Sequence, residues 1–483
     1  MTVGAGRSVC VLRTDVIDFV SKYATAAHLA LLTVAPLFLF PLCGEGEIAK
    51  VLLWLSLLCS AWIVMSPSKQ KGEFLHDAKC RFAGEVVRDP LFWLSLAFVV
   101  YAGIRALNGG VGFKYDAEFS KWALHRPDVD MLPGCVDGAG FLPFACCVAL
   151  LVLLQGLRHA LDRKTARSFY LSLTVLAGIS AIVAVFMLSS DGETAIAMQS
   201  CEYANPSFIG TAYGICLVCG VATAFACIEE KVGIAVTLIA LISNGAIATG
   251  LVLFAPQFTV CVFLVAILIL SIVSFIAIGR KMSGGRSLRY ILVVLVVVAA
   301  VVLPLISCDD GSALATRRDQ VLSLQFFPKG FSELRNVLSG VSLRVWKGGP
   351  WLGSGLGSFS LDMRAVATPA DWAVATPFQA ASINGWWQLL VERGVVGALF
   401  MACALGMLIW TYVRKVVFQS VRRSLRGIHF TGCLVLMVLV VLAFVDCSFL
   451  RADVLLSASA AFALATTAIP VRNNVNSDIE EVR

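Results

Sequence analysis

Charge is what this chain has least of. Asp, Glu, Lys and Arg make up 14% of its 483 residues, while 59% are hydrophobic and mean hydropathy is +0.85. An ordinary soluble domain carries about 25% charged residues, so this scarcity excludes a water-solvated globule and points to lipid as the solvent. Histidine is scarcer still. His28, His76, His125, His159 and His429 are the whole set and stand in no ligand spacing, so neither a bound metal nor any other cofactor is expected. Internal repeats and low-complexity tracts are missing too, which leaves a transporter built from duplicated bundles without its usual signature. Nothing in the sequence reads as a nucleic-acid footprint, and the net charge of +7 has another explanation.

What the chain has in abundance is uninterrupted apolar sequence. A helix needs about 20 such residues to span a bilayer. Twelve segments qualify: 25–43, 48–67, 90–108, 141–158, 169–190, 207–228, 232–254, 257–279, 289–307, 387–411, 430–448 and 452–470. They are continuously apolar rather than alternating at period two, so they predict helices and not a lipid-facing barrel. No convincing small-residue cleavage site follows the first, which therefore reads as a span rather than a signal peptide. Lys and Arg sort cleanly by side. The connections after even-numbered spans carry Lys69, Lys71, Lys79, Arg81 and Arg88, then Arg158, Arg163, Lys164 and Arg167, and further on Arg280, Lys281, Arg286 and Arg289, then Arg414, Lys415, Arg422, Arg423 and Arg426. Short connections after odd-numbered spans carry almost none; 191–206 has neither residue type. The +7 is thus a topology signal. The predicted fold is an all-α polytopic membrane protein of about 12 transmembrane helices with both termini cytoplasmic.

Organisation follows from the same pattern. Helices 1–9 occupy 1–307 with an outer loop at 109–140, a large outer loop fills 308–386, helices 10–12 occupy 387–470, and 471–483 is a short polar cytoplasmic tail. Both outer loops exceed the ~12–15 residues of ordinary connections and are where function is expected to concentrate. Most of the 16 cysteines fall within spans and behave as small apolar residues. Cys216 and Cys219, spaced CxxC on a buried helix, read as packing. Cys135, Cys201, Cys308 and Cys447 lie outside; a Cys201–Cys308 bridge is open to an oxidising compartment, although spacing does not choose partners.

The large loop carries the sharpest motif, Pro350–Phe359, reading PWLGSGLGSF. Gly353, Gly355 and Gly357 permit tight turning or close approach to a ligand, and by themselves they read equally well as a run of turns. Arg335 lies fifteen residues before Pro350. Further on, SINGWWQLLVERGVVGALF, from Ser382 to Phe400, leads into span ten, and Asn205-Pro206 opens span six in YANPSFIGTAYGICL. On a helix Gln388 and Glu392 share one face. Trp386 and Trp387 suit either the membrane interface or sugar stacking.

In order and spacing, Arg335, Pro350, Gly353, Gly355, Gly357, Phe359, Asn384, Gln388, Leu389, Glu392, Gly394 and Gly397, together with Asn205, resemble the O-antigen ligase and polymerase superfamily of bacterial envelope glycosyltransferases, across about residues 200–410. The chain reads as a divergent member. Ile383 stands where the family commonly has histidine, and Gln257 where an arginine-bearing element is expected. Ser339 replaces a tryptophan expected four residues after Arg335, which makes Arg344, two residues before Trp346, a rival for the same role.

The resemblance implies a multi-pass protein of the bacterial inner membrane. Its partners would be the lipid bilayer, a polyprenyl-diphosphate-linked saccharide donor and a glycan or lipid acceptor, meeting at the periplasmic face, with no nucleic acid. Arginine suits the donor because its planar fork binds phosphate oxygens bidentately at every relevant pH. Arg335 and Glu392 are therefore the expected catalytic pair, Glu392 as general base. The alternative for Glu392 is a structural partnership with Arg393 or a loop arginine. Substrate-binding candidates are Arg344, Gly353, Gly355, Gly357, Asn384, Gln388, Asn205 and Arg105, the last either functional or snorkelling to the interface. Three classes compete: a ligase or polymerase, a catalytically degenerate relative with a binding or structural role, and a small-solute transporter. The transporter is disfavoured because the spans are nearly free of charge.

Overall fold

The structure, a computed structural model, describes residues 24–39, 45–65, 67, 74–107, 112–116, 121–125, 141–161, 163–190, 206–229, 232–278, 291–301, 331–372, 384–413, 423–445 and 452–466. These residues are almost entirely helical. By length and hydropathy six helices are able to cross a membrane: Phe141–Ala160, Thr165–Phe186, Ile209–Glu229, Ile234–Phe254, Gln257–Phe275 and Gly385–Thr411. A seventh candidate is the pair α3 (Leu75–Arg88) and α4 (Pro90–Leu107), which meet at a bend of 74°. Five further apolar helices are shorter: Ala24–Leu39, Lys50–Met65, Ile291–Val301, Phe430–Leu442 and Val454–Ala463. Each of the twelve apolar runs of the sequence overlaps one of these helices.

At the centre stands the helix Pro206–Glu229, here α7, whose spanning stretch is 94% buried. Its sequence explains the position. It is apolar on every side and rich in Gly, Ala and Cys, so neighbours approach closely from all directions. Ile234–Phe254 (α8) and Arg163–Ser190 (α6) pack on it, as do Arg423–Leu442 (α15) and Ala452–Thr466 (α16). Cys216 and Cys219 lie fully inside this core, Cys216 against the Ser457 hydroxyl. The outer wall is formed by α4, by α5 (Phe141–Gln155) and by α14 (Gly385–Val413), of whose spanning stretch only 17% is buried.

Two departures from the sequence reading concern the connections. The connection 109–140 holds an antiparallel hairpin, β1 (Gly112–Asp116) with β2 (Lys121–His125), in register Phe113↔Leu124 and Tyr115↔Trp122. The fold is therefore not purely helical; alternation at period two over five residues is too brief to outweigh the long apolar runs on either side. The basic connection before α4 is helical as well. Asp89 breaks it: its Oδ1 accepts the Leu91 amide at 3.2 Å and Pro90 takes the first helical position, so a new helix starts in a new direction.

Arg158, expected as a loop cation, is instead buried. The helix widens into a π turn at Gly156–Ala160, and Arg158 and His159 both face the Asp89 carboxylate, with the Arg158 Nη2 at 3.4 Å from Oδ1 and the His159 Nε2 at 3.3 Å from Oδ2. Counting Lys and Arg by loop treats every cation as solvated. Only the tertiary partner reveals this one.

Candidate functional site

The glycine element is built as a clamp. The helix Phe331–Gly348 (α11) ends in turns closed by Gly349 N–H on Trp346 O and Gly353 N–H on Gly349 O, each 3.0 Å. Gly353, Gly355 and Gly357 then all take positive φ, winding the chain into a compact knot before the short helices Phe359–Val366 (α12) and Pro369–Trp372 (α13). Leu338, Val341 and Val345 of α11 bury against Phe359, Met363 and Val391, a small core of its own beside α14. Leu356 inserts between Ala102 of α4 and Cys147 of α5. Although the motif reads as a water-exposed loop, half of its residues are buried, while Trp351 remains outside at 70% exposure.

Beneath the knot, α14 is broken. Gly394 has φ 62° and ψ −172°, so the carbonyls of Val391 and Glu392 lose their helical donors and the amides of Val395 and Val396 lose their helical acceptors. The knot supplies all four. Ser354 N–H donates to Val391 O at 2.8 Å and Gly355 N–H to Glu392 O at 3.1 Å, while Val395 N–H and Val396 N–H donate to Pro350 O and Trp351 O at 2.9 and 3.1 Å. The Tyr101 hydroxyl of α4 sits within 2.9 Å of Arg393 O and 3.2 Å of Leu352 O, with its one proton to give to either. The approach is so close that a Cβ on Gly394 would lie 2.2 Å from Trp351 O, and one on Gly353 would lie 2.6 Å from the Glu392 carbonyl carbon. Those two glycines are needed for both conformation and space.

The polar side chains gather at this break. Glu392 is 6% exposed; its Oε1 accepts Gln388 Nε2 at 3.0 Å, and its carboxylate also receives the Gly357 N–H. Asp362, equally buried, accepts the Ser358 hydroxyl at 2.7 Å, and Ser358 in turn lies 2.7 Å from the Ser354 hydroxyl. Arg393 is 3% exposed and lies across the Phe98 ring at 5.2 Å from its centroid. Among the described residues its Nε and Nη1 find no hydrogen-bond acceptor, and it makes no ion pair with Glu392.

Of the sequence candidates, the structure brings together Gly353, Gly355, Gly357, Gln388 and Glu392. Asn384 stands at the start of α14, where its Oδ1 accepts the Trp386 and Trp387 amides at 3.0 and 3.4 Å as a helix cap. Arg335 is half-buried on α11 and forms no ion pair among the described residues. Arg344 is already engaged: its Nη2 pairs with Asp371, whose carboxyl is held below the usual carboxylate range by the Thr368 N–H and further by that arginine. Gln257 is buried at the start of Gln257–Ile278, its amide without a partner among the described residues. Arg105 lies on α4, where only its backbone is described; Asn205, Ile383 and the Cys201–Cys308 pair lie outside the described residues. Sequence reading overlooked Tyr101 and the burial of Arg393. The only sequence signal for the last was an arginine inside an apolar span.

A scan against protein-family models and a search of curated proteins both find no match to this chain.

Proposed function

We propose that this chain is a twelve-span enzyme of the bacterial inner membrane, resembling O-antigen ligases and polymerases, that transfers or polymerises a polyprenyl-diphosphate-linked glycan at the periplasmic face. The observation that carries the reading is the clamp. The glycine motif and the Gln388–Gly394 segment, forty residues apart in the pattern behind the resemblance, close on each other through four backbone hydrogen bonds and hold a buried carboxylate beside a buried guanidinium. In this reading an acceptor hydroxyl attacks the anomeric carbon, its proton passes to Glu392, and the C–O bond to the diphosphate breaks. The departing diphosphate is held by Arg335. A leaving group this good asks little acid catalysis, so charge stabilisation and one base suffice.

The test is transfer by the purified protein in nanodiscs, supplied with a polyprenyl-diphosphate oligosaccharide and candidate acceptors. Glu392→Gln is expected to lower the rate by about 10²-fold or more; a folded variant turning over at the wild-type rate removes Glu392 from the base role. A second reading, a degenerate relative that binds lipid-linked glycan without transferring it, is favoured by Arg344 and Asn384, both already committed to structural partners. Donor binding with no turnover on any acceptor selects it.

A further inference from the structure

The helix α3 carries five charged residues in fourteen: Asp77, Lys79, Arg81, Glu85 and Arg88. A hydrocarbon core does not accept so many. The crossing does not need them either, since the eighteen residues of α4 rise about 27 Å by themselves. Yet α3 is not left to swing. Its joint with α4 is held at 74° by the buried Asp89, which takes Arg158 and His159, and by the Trp93 indole N–H, which donates to Val87 O at 2.8 Å. Two exposed stripes meet at this joint. On α4, Trp93, Ala97, Val100 and Ile104 recur at helical spacing and face out of the bundle. On α3, His76, Cys80, Ala83 and Val87 recur at the same spacing and are exposed too, while Ala78 and Phe82 turn inward. The Trp93–Val87 bond joins the stripes, so the weakly apolar side of α3 continues the lipid-facing wall of α4. Charge flanks that side. Arg81 is paired with Glu85 at 3.4 Å, and Lys79 and Arg88 stand to either side of the stripe, with Lys69 and Lys71 shortly before the helix in sequence. An apolar edge between cations, on a helix turned steeply away from a span, is the build of a helix at headgroup level.

We propose that α3 lies along the membrane surface and binds anionic phospholipid headgroups, with Val87 and its stripe at the acyl boundary and Lys79 and Arg88 against the phosphates. The assignment is independent of the transfer reaction. It concerns the end of α4 away from Tyr101 and the clamp, and it gives the buried Asp89 joint a purpose: a fixed elbow keeps the cations of α3 at the depth of the headgroups, where each is worth about 1 kcal/mol of attraction to an anionic leaflet.

The experiment is photolabelling of the full-length protein in nanodiscs of phosphatidylcholine and phosphatidylglycerol, with a diazirine beside the headgroup of one lipid or the other. Labels from the phosphatidylglycerol probe are expected on 76–87 and on Trp93, and far fewer from the phosphatidylcholine probe. Lys79→Gln and Arg88→Gln should each lower the phosphatidylglycerol labels about fivefold. Raising salt to about 1 M, where the Debye length is ~3 Å, should erase the difference between the probes. Val87→Glu, which sets a carboxylate in the apolar stripe, should lower labelling by both. Equal labelling by the two probes at low salt overturns the proposal, because the helix would then touch lipid without reading its charge. An unlabelled α3 overturns it as well, and crosslinks from α3 to a second copy would then give this face to an oligomer. If Val87→Glu fails to fold, Arg88→Gln on the exposed rim and the comparison of probes still decide the matter. Glycan transfer is not read in this experiment, so its outcome and that of the transfer assay stand or fall separately.

Discussion

At the scale of single residues, Glu392 and Arg393 show what a membrane protein does with two charges it does not expose. They are neighbours in sequence yet form no ion pair; the carboxylate is satisfied by Gln388 and a loop amide, and the guanidinium lies over an aromatic face. Arg335 should behave differently from both. Arg335→Ala is expected to abolish transfer and Arg335→Lys to recover it only partly, because an ammonium lacks the bidentate fork; full activity of the Ala variant at normal protein level would remove Arg335 from the site. Gly394 carries a separate prediction. Any side chain there must adopt a left-handed backbone, costing about 1–2 kcal/mol, and also displace Trp351 O. Gly394→Ala should therefore lower the unfolding free energy by more than that strain alone, read as a fall in Tm of the detergent-solubilised protein. An unchanged Tm would mean that α14 is continuous. The buried Asp89–Arg158 pair allows a third test: Asp89→Ala leaves Arg158 uncompensated and should cost about 3–5 kcal/mol, whereas a surface pair would lose under ~1 kcal/mol.

At the scale of elements, the apolar runs and their boundaries were plain in the sequence, because lipid demands continuous hydrophobicity and helices meet that demand locally. The glycine motif was equally visible. Its partner was not. A hydropathy window averages over Gly394 and reports one span, since nothing in residue polarity records a single φ of 62°. That the motif closes this break is a long-range fact, carried by backbone groups that every residue possesses. Asp362 is one carboxylate among several in a polar loop, and the hydrogen bond from the Ser358 hydroxyl four residues before it is what singles it out. The clamp predicts a graded response. Tyr101→Phe removes one hydroxyl and should cost about 0.5–1.5 kcal/mol, while Gly353→Val, which must displace the α14 backbone itself, should abolish the folded state of the 350–359 segment. Limited proteolysis at Trp351 distinguishes the two; equal protection in both variants would contradict the packing.

At the scale of the whole molecule, α7 fills the centre and the site lies at the edge, where a helix mostly bared to lipid meets a loop. The charge asymmetry of the connections predicts that 308–386 and the clamp face the periplasm. Reporter fusions at Lys347 and at Lys164 should report opposite sides, and a shared side would invert the reading. The broken helix has a further consequence for how the protein is made. As α14 leaves the ribosome, its first and second halves expose two carbonyls and two amides that hydrocarbon does not solvate, each worth several kcal/mol. The segment that quenches them, 350–355, lies upstream and has already been synthesised. The nascent chain thus carries its own assembly factor in cis, and α14 is expected to settle in the bilayer only after that earlier loop has crossed it.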